Sequence, residues 1–306
     1  MPISQAPHAA PPALPADLDP ELWKLFDQYV HGDIDRRGFL DRAGRFASVL
    51  GLSSAGLLAA LSPDFARAQR IQPGDARLKV SRVDVASPAG HGSIKTYVVR
   101  PAAASGTLPV VLVVHENRGL NPHIEDVARR LALEGYMAVA PDALTPLGGY
   151  PGDEDKAREL FAKLDQVKTR EDFLAATQWA RTVEGGNGKL GVVGFCYGGG
   201  MANLLAARVP EVLAAAPFYG APAPAGEAAK IKAEVMLVFA ENDERINAAW
   251  PAYEAALREA GVRYSAFKYP GTQHGFHNDT TPRFDAAAAQ QAWERTLALF
   301  KRNLAG

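Results

Sequence analysis

Cys196 is the only cysteine in 306 residues, and it sits in the run Gly194-Phe195-Cys196-Tyr197-Gly198. A lone cysteine often behaves as a small buried hydrophobe. Here the surroundings point to chemistry. Residues 190–195, "LGVVGF", are apolar and β-branched, as expected of a buried strand. Residues 198–210 read as a helix that stops before Pro210. A nucleophile on a tight strand-to-helix turn is the G-x-S-x-G elbow, with Cys in the Ser position. Such a turn strains the backbone and leaves no room for side chains two places away, so those positions need glycine. The N-terminus of the following helix favours a thiolate and any oxyanion that develops beside it.

A thiolate nucleophile needs a base, and the base needs a group to fix its tautomer. Asp243 follows the predicted strand "EVMLVFAEN", and His274 lies in "YPGTQHGF" just past the next one. Nucleophile, acid, base is the chain order of the α/β-hydrolase fold. Two other readings stay open. Asp243 could cap the helix that begins "ERINAAWP". His277 is a rival base, or a metal partner for His274, although no cysteine partner and no H-E-x-x-H spacing support a metal. Glu116 ends the strand "VVLVVHE". The loop it opens and the residue after the nucleophile supply oxyanion amides in this architecture, which nominates the backbone N–H groups of Asn117 and Tyr197. Each such donor is worth roughly 3 kcal/mol in the transition state. Glu116 could otherwise be a loop carboxylate facing water or paired with Arg118.

The elements that must hold these groups alternate from residue 70 onward. Two strands around "PAGHG" read as an antiparallel entry pair; strands and amphipathic helices then follow in turn, including one helix over "INAAWPAYEAALREAG" and a long C-terminal one. The pattern predicts an α/β fold with a mostly parallel central sheet and helices on both faces. Catalytic groups then belong at the carboxyl ends of the strands.

The motifs "HENRG", "APD", "GFCYGG", "END" and "QHGF", in this order and spacing, resemble the dienelactone hydrolases, or carboxymethylenebutenolidases. The resemblance runs from about residue 80 to the C-terminus. It implies an α/β-hydrolase that opens a lactone or cleaves an ester through a cysteine thioester, without metal or organic cofactor. It places the nucleophile on Cys196, the assisting pair on Asp243 and His274, and the first acceptor of the thiol proton on Glu116. The family's substrate-binding arginines are not matched: no Arg closely follows Asp142, and Asn278 stands where the second is expected. Arg118 is a replacement candidate for binding substrate. The expected substrate is therefore another lactone or a small ester. A general carboxylesterase or thioesterase is the alternative, and a non-catalytic small-molecule binding module a further one.

The net charge is −1 and charges of both signs are interspersed, which gives no basic surface for nucleic acid. One cysteine allows no intramolecular disulfide. Residues 1–69 differ from the catalytic stretch 70–306. The first twenty are rich in Pro and Ala and read as disordered. "ELWKLFDQYVHGDI" fits a short amphipathic helix. Arg36 and Arg37, a mildly apolar run and Ala66-Arg67-Ala68 follow in the layout of a twin-arginine export signal. The expected partners are thus an ester or lactone and the export machinery, and the expected location is the periplasm or outside the cell, with the cytoplasm as the alternative.

Overall fold

Apolar residues between positions 18 and 61 fall at helical spacing, and the chain folds accordingly. The computed structural model describes residues 14–15, 18–63, 69–224 and 226–305. The chain divides into two compact units, residues 1–63 and 64–306.

In the first unit, α1 (Pro20–His31), α2 (Arg36–Val49) and α3 (Ser54–Leu61) are capped by Asp19, Asp35 and Ser53, whose side chains accept first-turn N–H groups. Phe26, Tyr29 and Phe39 meet at the centre, with Phe39 5.3 Å from Tyr29 and 6.1 Å from Phe26 between ring centroids. The helix expected over "ELWKLFDQYVHGDI" is α1, and the mildly apolar run expected after Arg36 and Arg37 forms α2 and α3. Enough large apolar side chains share one face of each helix to bury a small core. Most of the Pro- and Ala-rich start and all of Ala66-Arg67-Ala68 lie outside the described residues. Arg36 and Arg37 open α2 and are exposed. Among the described residues no single helix is long and apolar enough to cross a membrane; α2 and α3 pass only together, and they bend by 92°.

In the second unit, β1 (Leu78–Ser87) and β2 (Gly92–Pro101) form the antiparallel entry pair. β3 (Leu108–Val114), β4 (Met137–Pro141), β5 (Gly186–Phe195), β6 (Val212–Phe218), β7 (Glu234–Asn242) and β8 (Tyr264–Gln273) complete an eight-stranded sheet in the order β1-β2-β4-β3-β5-β6-β7-β8. From β4 to β8 every neighbouring pair is parallel. β3 explains why. Val110, Leu112 and Val114 pack into the core on one face, and Val111 and Val113 into the core on the other. A strand buried on both faces has no polar alternation, and parallel sheets are built of such strands.

α4 (Pro122–Leu133) and α10 (Ala286–Leu304) cover the face of Val111, with Ile124, Val127, Leu299 and Phe300 fully buried there. α5 (Glu154–Phe161), α6 (Gln166–Arg181) and α7 (Tyr197–Arg208) cover the other face. The single helix expected over residues 246–261 is two, α8 (Glu244–Asn247) and α9 (Trp250–Glu259). Pro251 sits in the first turn of α9, where its missing N–H costs nothing, and it cannot continue a helix begun earlier.

Candidate active site

β5 delivers Cys196 directly into α7. The residue has φ 55 and ψ −113, a conformation that costs a non-glycine residue on the order of 1–3 kcal/mol. The neighbouring backbone enforces it. A Cβ on Gly194 would lie 1.9 Å from the Gly198 carbonyl oxygen, and one on Gly198 would lie 2.3 Å from that of Val114. Gly199 is equally closed, 2.4 Å from the Phe218 oxygen, whereas Gly200 has ordinary room. The Cys196 N–H is anchored on the Phe218 carbonyl at 3.0 Å, so the turn is pinned to β6 as well.

β7 and β8 bring the other two groups together from beyond their carboxyl ends. His274 Nδ1 lies 2.6 Å from Asp243 Oδ2, with both residues buried. Both sequence readings of Asp243 hold at once, because its other oxygen accepts the Ile246 N–H at 3.3 Å and caps α8. A ring nitrogen of His274 and Cys196 Sγ lie within 4.8 Å of each other. Burial opposes a charged imidazole here. The Cys196 charge and the hydrogen bond to Asp243 outweigh it, and His274 is pushed up to about 10. His277 lies in different surroundings. Its ring stacks on Phe195 at 5.1 Å between centroids and packs against Trp293, and burial holds it well below the usual histidine range. A neutral ring among aromatics is core.

Glu116 leaves the end of β3 half-buried, and its Oε2 accepts a hydrogen bond from Asn278 Nδ2 at 3.0 Å. Arg118 turns elsewhere. Its Nε lies 2.9 Å from Glu154 Oε2, and it donates to Asn117 Oδ1 at 2.7 Å. Burial raises the Glu154 carboxyl, against the pull of Arg118, to about 7. The substrate-binding candidate is thus already engaged by an acid.

Further residues around the site were given no role by the sequence. Asp142, in "APD", accepts the N–H groups of Leu120, Leu144 and Tyr150 and ties together the loops after β3 and β4. Asn278 reaches Glu116 only through folding. Tyr219, at the end of β6, has φ 37, and its ring lies 4.9 Å from that of His274. Its hydroxyl is buried with no hydrogen-bond partner among the described residues. Burial and the nearby charges of Glu116 and Cys196 hold it in the neutral form.

The sequence profile of the dienelactone hydrolase family matches residues 94–304. A YqhI-like profile matches residues 14–47. An Escherichia coli chain provisionally named a carboxymethylenebutenolidase is 33% identical over 230 residues, covering 70% of this chain and 84% of the relative. Another E. coli relative, provisionally named hydrolase fragment YghX, is 48% identical over 114 residues, 37% of this chain and 97% of its own. The crystal structure of a provisionally named dienelactone hydrolase from Klebsiella pneumoniae superposes with TM-score 0.64 at 30% identity, over 73% of this chain and 99% of that one. The dienelactone hydrolase of Anabaena variabilis shares the fold, with TM-score 0.59 at 23% identity, over 74% and 99%. With an eight-stranded α/β sheet, a strained elbow and a His–Asp pair at the strand ends, the chain belongs to the dienelactone hydrolase family of carboxylic-ester hydrolases.

Proposed function

We propose that this chain hydrolyses a lactone or small carboxylic ester through Cys196, by way of a thioester acyl-enzyme. The Sγ thiolate attacks the carbonyl carbon, and the N–H groups of Asn117 and Tyr197 hold the resulting oxyanion. The carbon–oxygen bond breaks, and the leaving oxygen takes a proton from the His274 imidazolium. Water then attacks the thioester, His274 takes its proton, and the thiolate leaves. Glu116 accepts the thiol proton as substrate arrives, the role the family resemblance gives it. Asp243 keeps the imidazole in the right tautomer.

One observation carries this reading. The only cysteine of the chain sits at φ 55 at the start of α7, its Sγ within 4.8 Å of a ring nitrogen of His274, and that histidine lies 2.6 Å from a buried aspartate. A thiol that only filled core would need neither the strain nor the pair. With Arg118 engaged by Glu154 and Asn278 uncharged, the substrate is an ester or lactone that does not depend on those positions for a carboxylate contact. The test is hydrolysis of a panel of short-chain esters and lactones with and without iodoacetamide. Turnover that alkylation abolishes supports the reading. Absence of turnover on every substrate favours a binding module, and turnover that alkylation spares removes Cys196 from the chemistry.

We also propose export by the twin-arginine route, on the strength of the exposed Arg36-Arg37 pair ahead of an apolar stretch. Replacing both with Lys should leave full-length protein in the cytoplasm. Equal fractionation of the native and Lys forms overturns this.

A further inference from the structure

His115 ends β3 fully buried, one residue before Glu116, and the proposed mechanism gives it no task. Its ring is held at both nitrogens. Nε2 accepts the Ala143 N–H at 3.0 Å. A backbone N–H can only donate, so Nε2 is unprotonated and the ring proton is on Nδ1. Nδ1 lies 2.5 Å from the Glu116 carbonyl oxygen, which accepts that proton in a hydrogen bond. Burial keeps His115 below the ordinary histidine range, so the neutral tautomer persists. Phe161 and Phe173 pack edge-on against the ring at 6.2 and 5.8 Å. The same two phenylalanines pack against Tyr197, at 4.7 and 6.5 Å.

The carbonyl that His115 holds belongs to the same peptide unit as the Asn117 N–H. A trans peptide is planar, with its C=O and N–H pointing in opposite directions. Fixing one therefore fixes the other. This peptide follows the part of β3 that touches the elbow, where Gly198 is too close to the Val114 and His115 carbonyls to carry a Cβ. We infer that His115 is a positioning residue for the reaction: by anchoring the Glu116 carbonyl it aims the Asn117 N–H at the oxyanion formed on the Cys196 adduct. Phe161 and Phe173 complete the brace, since they contact both the anchoring imidazole and the residue whose N–H is the second oxyanion donor. The inference rests on the proposed oxyanion role of Asn117.

Two reactions of the same thiol separate this role from others. Ester hydrolysis passes through an oxyanion. Alkylation by iodoacetamide displaces iodide in one step, transfers no charge to a carbonyl oxygen and needs no oxyanion donor. His115→Phe fills the space but carries no donor, and His115→Asn keeps an N–H near the Nδ1 position. The His115→Phe variant should lose about 10- to 1,000-fold in kcat with little change in KM, the scale of losing one oxyanion donor. A trifluoromethyl ketone, which forms a tetrahedral adduct on the thiol, should lose affinity by a similar factor. The rate of iodoacetamide alkylation should be unchanged, and His115→Asn should recover part of kcat. Unchanged kcat in His115→Phe overturns the inference and leaves Cys196 chemistry intact. Equal losses in alkylation and hydrolysis also overturn it, because they place the effect on the thiolate or the fold. If His115→Phe is too unstable to assay, His115→Asn alone decides: a fall in ketone affinity matching its fall in kcat upholds the inference, and a fall in kcat with full ketone affinity overturns it.

Discussion

Asn278 Nδ2 donates to Glu116 Oε2 at 3.0 Å, across 162 positions of sequence. Thr280 sets the direction of this bond. Its N–H donates to Asn278 Oδ1 at 3.1 Å, and its hydroxyl does so at 2.6 Å, so the Asn278 amide has only its NH₂ end to offer Glu116. The carboxylate proposed to take the thiol proton is held by a neutral donor. Asn278→Ala should free it and slow acylation by roughly tenfold, the weight of one charge-assisted hydrogen bond. Asn278→Asp should slow it further by placing a second anion there. Stopped-flow acylation rates check both, and unchanged rates would show that the contact does not position Glu116.

Cys196→Ala should abolish hydrolysis and leave the fold intact, since the change removes one buried sulfur and relieves no contact the elbow needs. Cys196→Ser should remain poor, because an alkoxide is far harder to form than a thiolate. Measurable turnover in the Ala form removes Cys196 from the mechanism.

Glu116→Gln and His274→Ala should fail at different steps. Gln keeps the shape and can still accept from Asn278, but takes no proton, so acylation should fall about 100-fold or more with deacylation spared. Loss of His274 also removes the base for water, and acyl-enzyme should accumulate and be visible by mass spectrometry. Native acylation in Glu116→Gln would make that carboxylate a bystander.

The elevated His274 value gives a pH window with a definite sign. Its folded value, about 10, exceeds the ordinary 6.5, so its contribution to stability is fully present below 6.5 and lost as pH rises through about 10. The Cys196 charge is the first of the groups that raise it. In Cys196→Ala the imidazole should therefore titrate lower, and the alkaline loss of stability, which still begins near 6.5, should be smaller and complete at lower pH. Imidazole NMR titration and Tm measured from pH 6 to 11 check this. An unshifted His274 would show that Asp243 alone holds the imidazolium.

The glycines of the elbow should separate by position. Gly198→Ala brings a methyl against two carbonyl oxygens at 2.3 and 2.7 Å, and should cost about 1–3 kcal/mol or more. Gly200→Ala meets its nearest atom at 3.5 Å inside α7, where alanine is favoured by up to about 1 kcal/mol, and should be neutral or stabilising. Thermal denaturation of the two variants checks the contrast.

The sequence by itself determined the sheet and the elbow. Strands buried on both faces must be continuously apolar, and a strand that turns abruptly into a helix must flank its turn residue with glycine; both are local constraints, legible in "PVVLVV" and "GFCYGG". It also determined that Asp243 and His274 follow strand ends, because a parallel sheet collects those ends along one edge. Residues 20–61 show the limit of such patterns. The apolar run behind the arginine pair has no spacing that names its packing partners, and only the meeting of three helices shows that these side chains bury one another. The tertiary structure alone decided which polar groups pair. Arg118 goes to Glu154, Glu116 to Asn278, His115 to the Glu116 and Ala143 backbones, and His277 into an aromatic stack. Hydrogen bonds are made or lost over differences of a few tenths of an ångström, mostly between groups far apart in the chain, and no residue spacing encodes those differences.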